Sequence, residues 1–113
     1  MESILTSVKK QLGITEECED FDADIIMHIN TVFMILNQIG VGPSECFTIQ
    51  DKLAIWDDFI PTTQSIEAVK SYMGTKVKLL FDPPSGSGHM EAANRVCNEL
   101  EWRLNVAAES TTQ

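Results

Sequence analysis

Few residues in this chain have the type and spacing for chemistry. Asp24 and His28 stand four apart in a stretch with helical periodicity, so one helix face could offer a carboxylate and an imidazole to a metal ion. Two ligands do not complete a site. His89 is remote and has no other ligand near it at helical spacing, which leaves a surface helix pair as the plainer reading. Asp57 and Asp58 are adjacent, so on a helix their carboxylates point in different directions and cannot work as a pair. No serine, cysteine or histidine occupies a recognisable nucleophile motif. Cys18, Cys46 and Cys97 are odd in number and widely spaced, as reduced thiols are, and form neither a disulfide framework nor a zinc cluster. The expectation is a protein that is not an enzyme and takes no cofactor or metal. The catalytic rival is a metal-dependent hydrolase built on Asp24, His28 and His89.

The stretch FDPPSGSG at 81–88 could pass for a phosphate loop, but such a loop follows a strand and ends in Gly-Lys-Ser or Gly-Lys-Thr, and both features are missing. It reads instead as a turn. Pro83 pushes Asp82 out of the helical region, Pro84 extends the break, and the Ser/Gly run lets the chain reverse. GSGHM resembles a cloning scar, yet it lies inside the chain and a helical pattern follows it, so it is read as native.

The elements that must position these residues are helical. The chain has 113 residues, of which 43% are hydrophobic, enough for one core. It is expected to form a single domain over 1–113, with mobile ends at 1–2 and 109–113 and a mobile SGSG. Ile4, Leu5, Val8 and Leu12 predict a helix over 3–12, stopped by Gly13 in the left-handed conformation. The acidic run from Glu16 to Asp24 suits the positive end of the next helix dipole and a solvated surface. That helix, roughly 20–39, places Phe21, Ile25, Ile26, Ile29, Val32, Phe33, Leu36 and Ile39 on one face at about 100° per residue. GVGP at 40–43 ends it. Thr48 and Asp51 resemble a capping pair, and Leu53, Trp56 and Ile60 share a helical face, so a short helix is expected near 49–59, stopped by Pro61, with a short strand as the alternative. Ser65 can cap a helix over 66–81 whose stripe is Ile66, Val69, Met73, Val77 and Leu80 despite Gly74. A last helix runs from about Ser87 to Ala108, antiparallel to the one before, with Ala93, Val96, Cys97, Leu100, Leu104 and Ala107 inward. The fold class is therefore all-α: a small bundle of four to five helices with a C-terminal antiparallel helix pair.

Two features do not fit a self-contained bundle. Ala23, Met27, Met34 and Ile35 fall on the side of the 20–39 helix opposite its core stripe, so this helix is either central or applies a second face to another chain. Trp102 falls on the far side of the last helix among Glu91, Arg95 and Asn98, with Val106 as its apolar neighbour. A buried indole would contribute roughly 1.5–3 kcal/mol or more. Either the N-terminal helix or the segment around Trp56 covers it within the subunit, or Trp102 and the adjacent Arg103 anchor an interface, where both residue types are enriched. Candidate interface residues are thus Trp102, Val106, Arg103, Met27, Met34 and Ile35.

The charge balance narrows the partners. With 17 acidic and 8 basic residues the net charge is -9, which disfavours tight binding to nucleic-acid phosphates or an anionic membrane. No stretch approaches a membrane span, and MESILTSVKK lacks the apolar run of a signal peptide, so a soluble protein not exported by a standard signal is expected.

NQIGVGP at 37–43, WDDF at 56–59, KVKLLFDPP at 76–84 and NELEWRLN at 98–105, in this order and spacing, resemble the head-tail connector proteins, also called head-completion or adaptor proteins, of tailed phages and prophages. The likeness covers nearly the whole chain and departs at SGSGHM, where bulkier residues are typical. The resemblance implies a small helical protein whose copies, about a dozen, close into a ring by one repeated head-to-tail contact. It implies that the ring docks beneath the portal protein and offers a surface to a stopper or tail-completion protein. DNA is then only passing cargo, retained and conducted, and an acidic wall would let it slide. The implied location is the virion head-tail junction, with the host cytoplasm before assembly. The rival from another class is a small acidic regulatory or protein-binding module, monomeric or dimeric.

Overall fold

The computed structural model describes residues 3–43, 45–59, 66–83 and 85–111. Ser3 opens the first helix, α1 (Ile4–Leu12), by accepting a hydrogen bond from the Thr6 amide through its hydroxyl oxygen. Gly13 closes it at φ 79°, where the Gly13 and Ile14 amides turn back onto Lys10 and Lys9 carbonyls, the left-handed stop expected of this glycine. Helix α2 (Asp22–Gln38) carries Asp22 and Asp24 in its first turn and buries Ile25, Ile29, Val32, Phe33 and Leu36. A single turn, α3 (Trp56–Phe59), follows, then α4 (Ile66–Phe81) and α5 (Ser87–Thr111). The fold is an all-α bundle of five helices, with no strand among the described residues beyond an isolated antiparallel bridge between Ser3 and Ile55.

Helix α4 organises the core, packing against α1, α2 and α5. Its Val69, Tyr72, Met73 and Val77 are fully buried among Ile4, Val8, Ile25, Ile29, Phe33 and Cys97. Only residues 82–86 separate α4 from α5. A connection that short cannot carry the chain back along a helix of α4's length, so the two packed helices are antiparallel and FDPPSGSG is the reversal between them. Phe81 anchors the approach to this turn with its ring edge-on to Phe21 at 5.6 Å and against His28 at 6.3 Å.

The segment 46–55 departs from the expected helix. Asn30 of α2 holds its backbone like a neighbouring strand: the side-chain amide donates to the Ile49 carbonyl at 3.0 Å and accepts from the Ile49 amide at 2.8 Å. The Ile4 amide donates to Ala54, and Ser3 bridges Ile55. These tertiary partners outweigh the weak local helical preference. Thr48 and Asp51 accordingly form no helix cap; Asp51 accepts from the Leu53 amide in a local turn, and Leu53 is exposed. Helix survives only where Trp56 and Phe59 are buried and the Asp58 carboxylate accepts from the Ile55 amide. Gly42, at φ 92°, abuts the Phe59 ring, and a β-carbon there would collide with it. Phe59 in turn packs with Phe33 and Phe47 at centroid distances of 4.7 and 5.5 Å.

Smaller departures concern helix ends and stripe edges. Helix α2 begins at Asp22, leaving Phe21 exposed just before it, and Leu80 and Val96, expected inward, are also exposed. Helix α5 continues to Thr111. The expected cap Ser65, the stop Pro61, Ile60, Pro84 and the terminal residues 1–2 and 112–113 lie outside the described residues.

Candidate functional site

The residues that could have formed a catalytic centre are dispersed. Among the described residues no three histidine, cysteine or acidic side chains group so as to hold a metal ion, and Asp24, His28 and His89 form no such set. His28 lies half-buried against Phe81, while Asp24 and His89 are exposed. All three cysteines are free, with Cys97 buried between α5 and the core.

The polar groups that are buried hold the bundle together. Lys9 is 3% exposed; its ammonium donates to the Glu16 and Cys18 carbonyls at 3.0 and 2.7 Å and pairs with Asp22 Oδ1 at 2.9 Å. One side chain thus ties α1 to the acidic loop and to the first turn of α2, and Asp22 is structural where the rest of the Glu16–Asp24 acids lie on the surface. Between α4 and α5, the Tyr72 hydroxyl donates to Glu101 Oε2 at 2.8 Å, and Lys76 stands 4.0 Å from the same oxygen. Burial, reinforced by the Glu101 hydrogen bond and charge, holds the Tyr72 phenol well above its ordinary range. Burial likewise pushes the Cys97 thiol up, with Lys76 opposing. Neither Lys9 nor Tyr72 stood out in the sequence. Lys9 follows Val8 on an amphipathic helix like any flanking lysine, and its burial needs the loop that folds over it. Tyr72 fits the period of the α4 stripe beside Val69 and Met73, the one signal that could have marked it.

What the core leaves over is a set of outward apolar side chains. Met27 is 57% exposed and Met34 47%, two turns apart on α2 and opposite Ile25, Ile29 and Leu36. Thr31 lies between them, half-buried, with its hydroxyl donating to the Met27 carbonyl. Trp102 is 66% exposed and Val106 40%, one turn apart on α5 and opposite Cys97 and Leu104. Neither α1 nor the segment around Trp56 covers the indole; Trp56 is itself buried. Ile35 differs from its companions, being half-buried and packed against the core. Arg103 is exposed and spends its guanidinium on Glu99 one turn earlier, at 2.8 and 3.1 Å.

The sequence NELEWRLN sharpens this contrast. Glu99 and Arg103 pair, Glu101 takes the Tyr72 hydroxyl, Leu104 is buried, Leu100 packs on the core, and the Asn105 amide donates to the Ile39 carbonyl at 3.0 Å. Among the described residues Trp102 has no hydrogen-bond or aromatic-ring partner. NQIGVGP serves the end of α2, where the Val41 amide returns to Leu36 and the Asn37 amide donates to the Pro43 carbonyl.

A family model described as phage connector protein matches residues 4–111. The chain belongs to the phage connector protein family. No curated protein and no solved structure gives a match. Membership makes this connector a structural component of a phage particle and agrees with an architecture whose buried polar groups serve folding. No described helix of the connector is long and apolar enough to cross a membrane.

Proposed function

We propose that this connector acts as a single domain whose copies close into a ring at the head-tail junction, docking beneath the portal protein and presenting the surface on which a stopper or tail-completion protein assembles. In this role it helps to retain and conduct the genome, makes and breaks no bond, and meets DNA only as passing cargo. The observation that carries the reading is the Trp102 indole, left two-thirds in water on a helix whose opposite face is core. A lone subunit gains nothing from it, whereas an interface gains one of its favoured anchors. The net charge of -9 supports the conducting role, since a wall of like charge does not grip DNA.

Trp102→Ala tests this. Because the tryptophan is 66% exposed, thermal stability should change by no more than about 0.5 kcal/mol. Assembly measured by sedimentation should weaken markedly, as it does when an interface anchor is truncated. A variant that unfolds would make Trp102 a core residue. A wild-type chain that stays monomeric would favour a small acidic protein-binding module.

A further inference from the structure

We infer that the repeated contact of the ring is made by the outer stripe of α5 on one copy seated against the outer stripe of α2 on the next, with Arg95 facing Asp24. This rests on the ring reading and specifies its interface.

Advancing about 100° per residue, Asp24, Met27, Thr31, Met34 and Gln38 fall on one line along α2, and Arg95, Glu99, Trp102 and Val106 on one line along α5. Both lines point away from the core sides of their helices, and α4 packs against both helices from within. Within one chain α5 reaches the end of α2 through Asn105 and Ile39, yet Met27, Met34, Trp102 and Val106 all stay exposed, so the two stripes do not cover each other there, whereas two copies can bring them together. The stripes also match in length. Arg95 to Val106 spans eleven residues and Asp24 to Met34 ten, each about 15 Å at 1.5 Å per residue. In both, a charge is followed towards the C-terminus by large apolar side chains, so parallel helices would set the indole and Val106 against the two thioethers. Methionine adapts its shape to an aromatic face and gains from sulfur-ring contact.

Charge selects the occupant. Of the eight basic residues, Lys9, Lys76, Lys78 and Arg103 have ion-pair partners within the subunit, Lys70 stands over the Trp56 ring, and Lys10 also has a partner. Arg95 and Lys52 remain without one among the described residues. On the α5 stripe, Glu99 is paired with Arg103, and the Arg95 guanidinium, one turn after Glu91, is the cation left without an ion pair among the described residues. On the α2 stripe the charged group is the exposed Asp24 carboxylate. A guanidinium without an ion pair, on the tryptophan-bearing stripe of a strongly acidic chain, finds its complement in a carboxylate of another copy of that chain. A contact using two different patches is heterologous and propagates from copy to copy until it closes.

A charge exchange tests the contact with the full-length chain. Arg95→Glu and Asp24→Arg are both exposed changes, so circular dichroism and melting should show each variant folded as the wild type. Each alone should lose assembly in sedimentation and electron microscopy, at least tenfold in the concentration needed. Mixed in equal amounts they should assemble again, because each supplies the face the other lacks, and alternating copies satisfy every contact. Single variants that assemble like the wild type, or a mixture that recovers nothing, would overturn this interface while leaving the ring reading intact. Recovery of a dimer instead of a ring would overturn the propagating contact. A wild-type chain that fails to assemble at any concentration would overturn the ring reading itself and this contact with it.

Discussion

Tyr72 shows how far a single residue can be followed. It is the only tyrosine in the chain, fully buried, with its hydroxyl committed to Glu101. Its ordinary pKa is 10.0 and that of Cys97 is 9.0, and the fold raises both because burial disfavours the charged form. The folded protein then holds protons that the unfolded chain gives up, so these two groups cost no stability below pH 9 and destabilise the fold increasingly as pH rises past 9.0 and 10.0. Alkaline titration followed by phenolate absorbance and circular dichroism should therefore show phenolate appearing together with unfolding. Phenolate near pH 10 in a chain that is still folded would contradict this account. Sequence legibility was uneven at this scale. The position of Trp102, Val106, Met27 and Met34 opposite the core stripes followed from helical periodicity, because a core stripe defines its own back, but their exposure did not, since periodicity leaves open whether another element covers that back. Ile35 was misplaced because it lies on the edge of the stripe, where a neighbouring element decides burial.

Among the elements, long helices were legible and the segment between them was not. Helices α1, α2, α4 and α5 each carry their own apolar period, and their ends are marked by residues such as Gly13, Gly40, Pro83 and Ser87. Residues 46–55 have no such autonomy: Asn30, Ile4 and Ser3, distant in sequence, supply their hydrogen bonds. Lys9 acts across elements in the same way, and this divides the acidic run into two kinds of residue. Replacing Asp22 with Lys sets a second cation against a nearly buried ammonium and should cost about 3 kcal/mol, the low end for a broken buried pair. Reversing Glu17 or Asp20, both exposed, should change stability by only about 0.5 kcal/mol. Urea unfolding of the three variants would separate these outcomes. Equal losses at all three positions would mean that the run is a set of helix-end charges rather than a surface with one embedded ion pair.

For the whole molecule, the issue is a core too small to consume every apolar side chain its helices carry. Among the described residues nineteen hydrophobic side chains are buried, yet Met27, Met34, Trp102 and Val106 lie outside that core on the outer sides of two helices. In the proposed ring, a subunit built this way is completed by its neighbours. Electron microscopy of the purified full-length connector, across concentrations up to the millimolar range, tests that claim most directly. The account predicts closed rings of one size, built from copies related by a single rotation, with α5 of each against α2 of the next. Particles that remain single subunits at every concentration, with Trp102 still open to solvent, would contradict it.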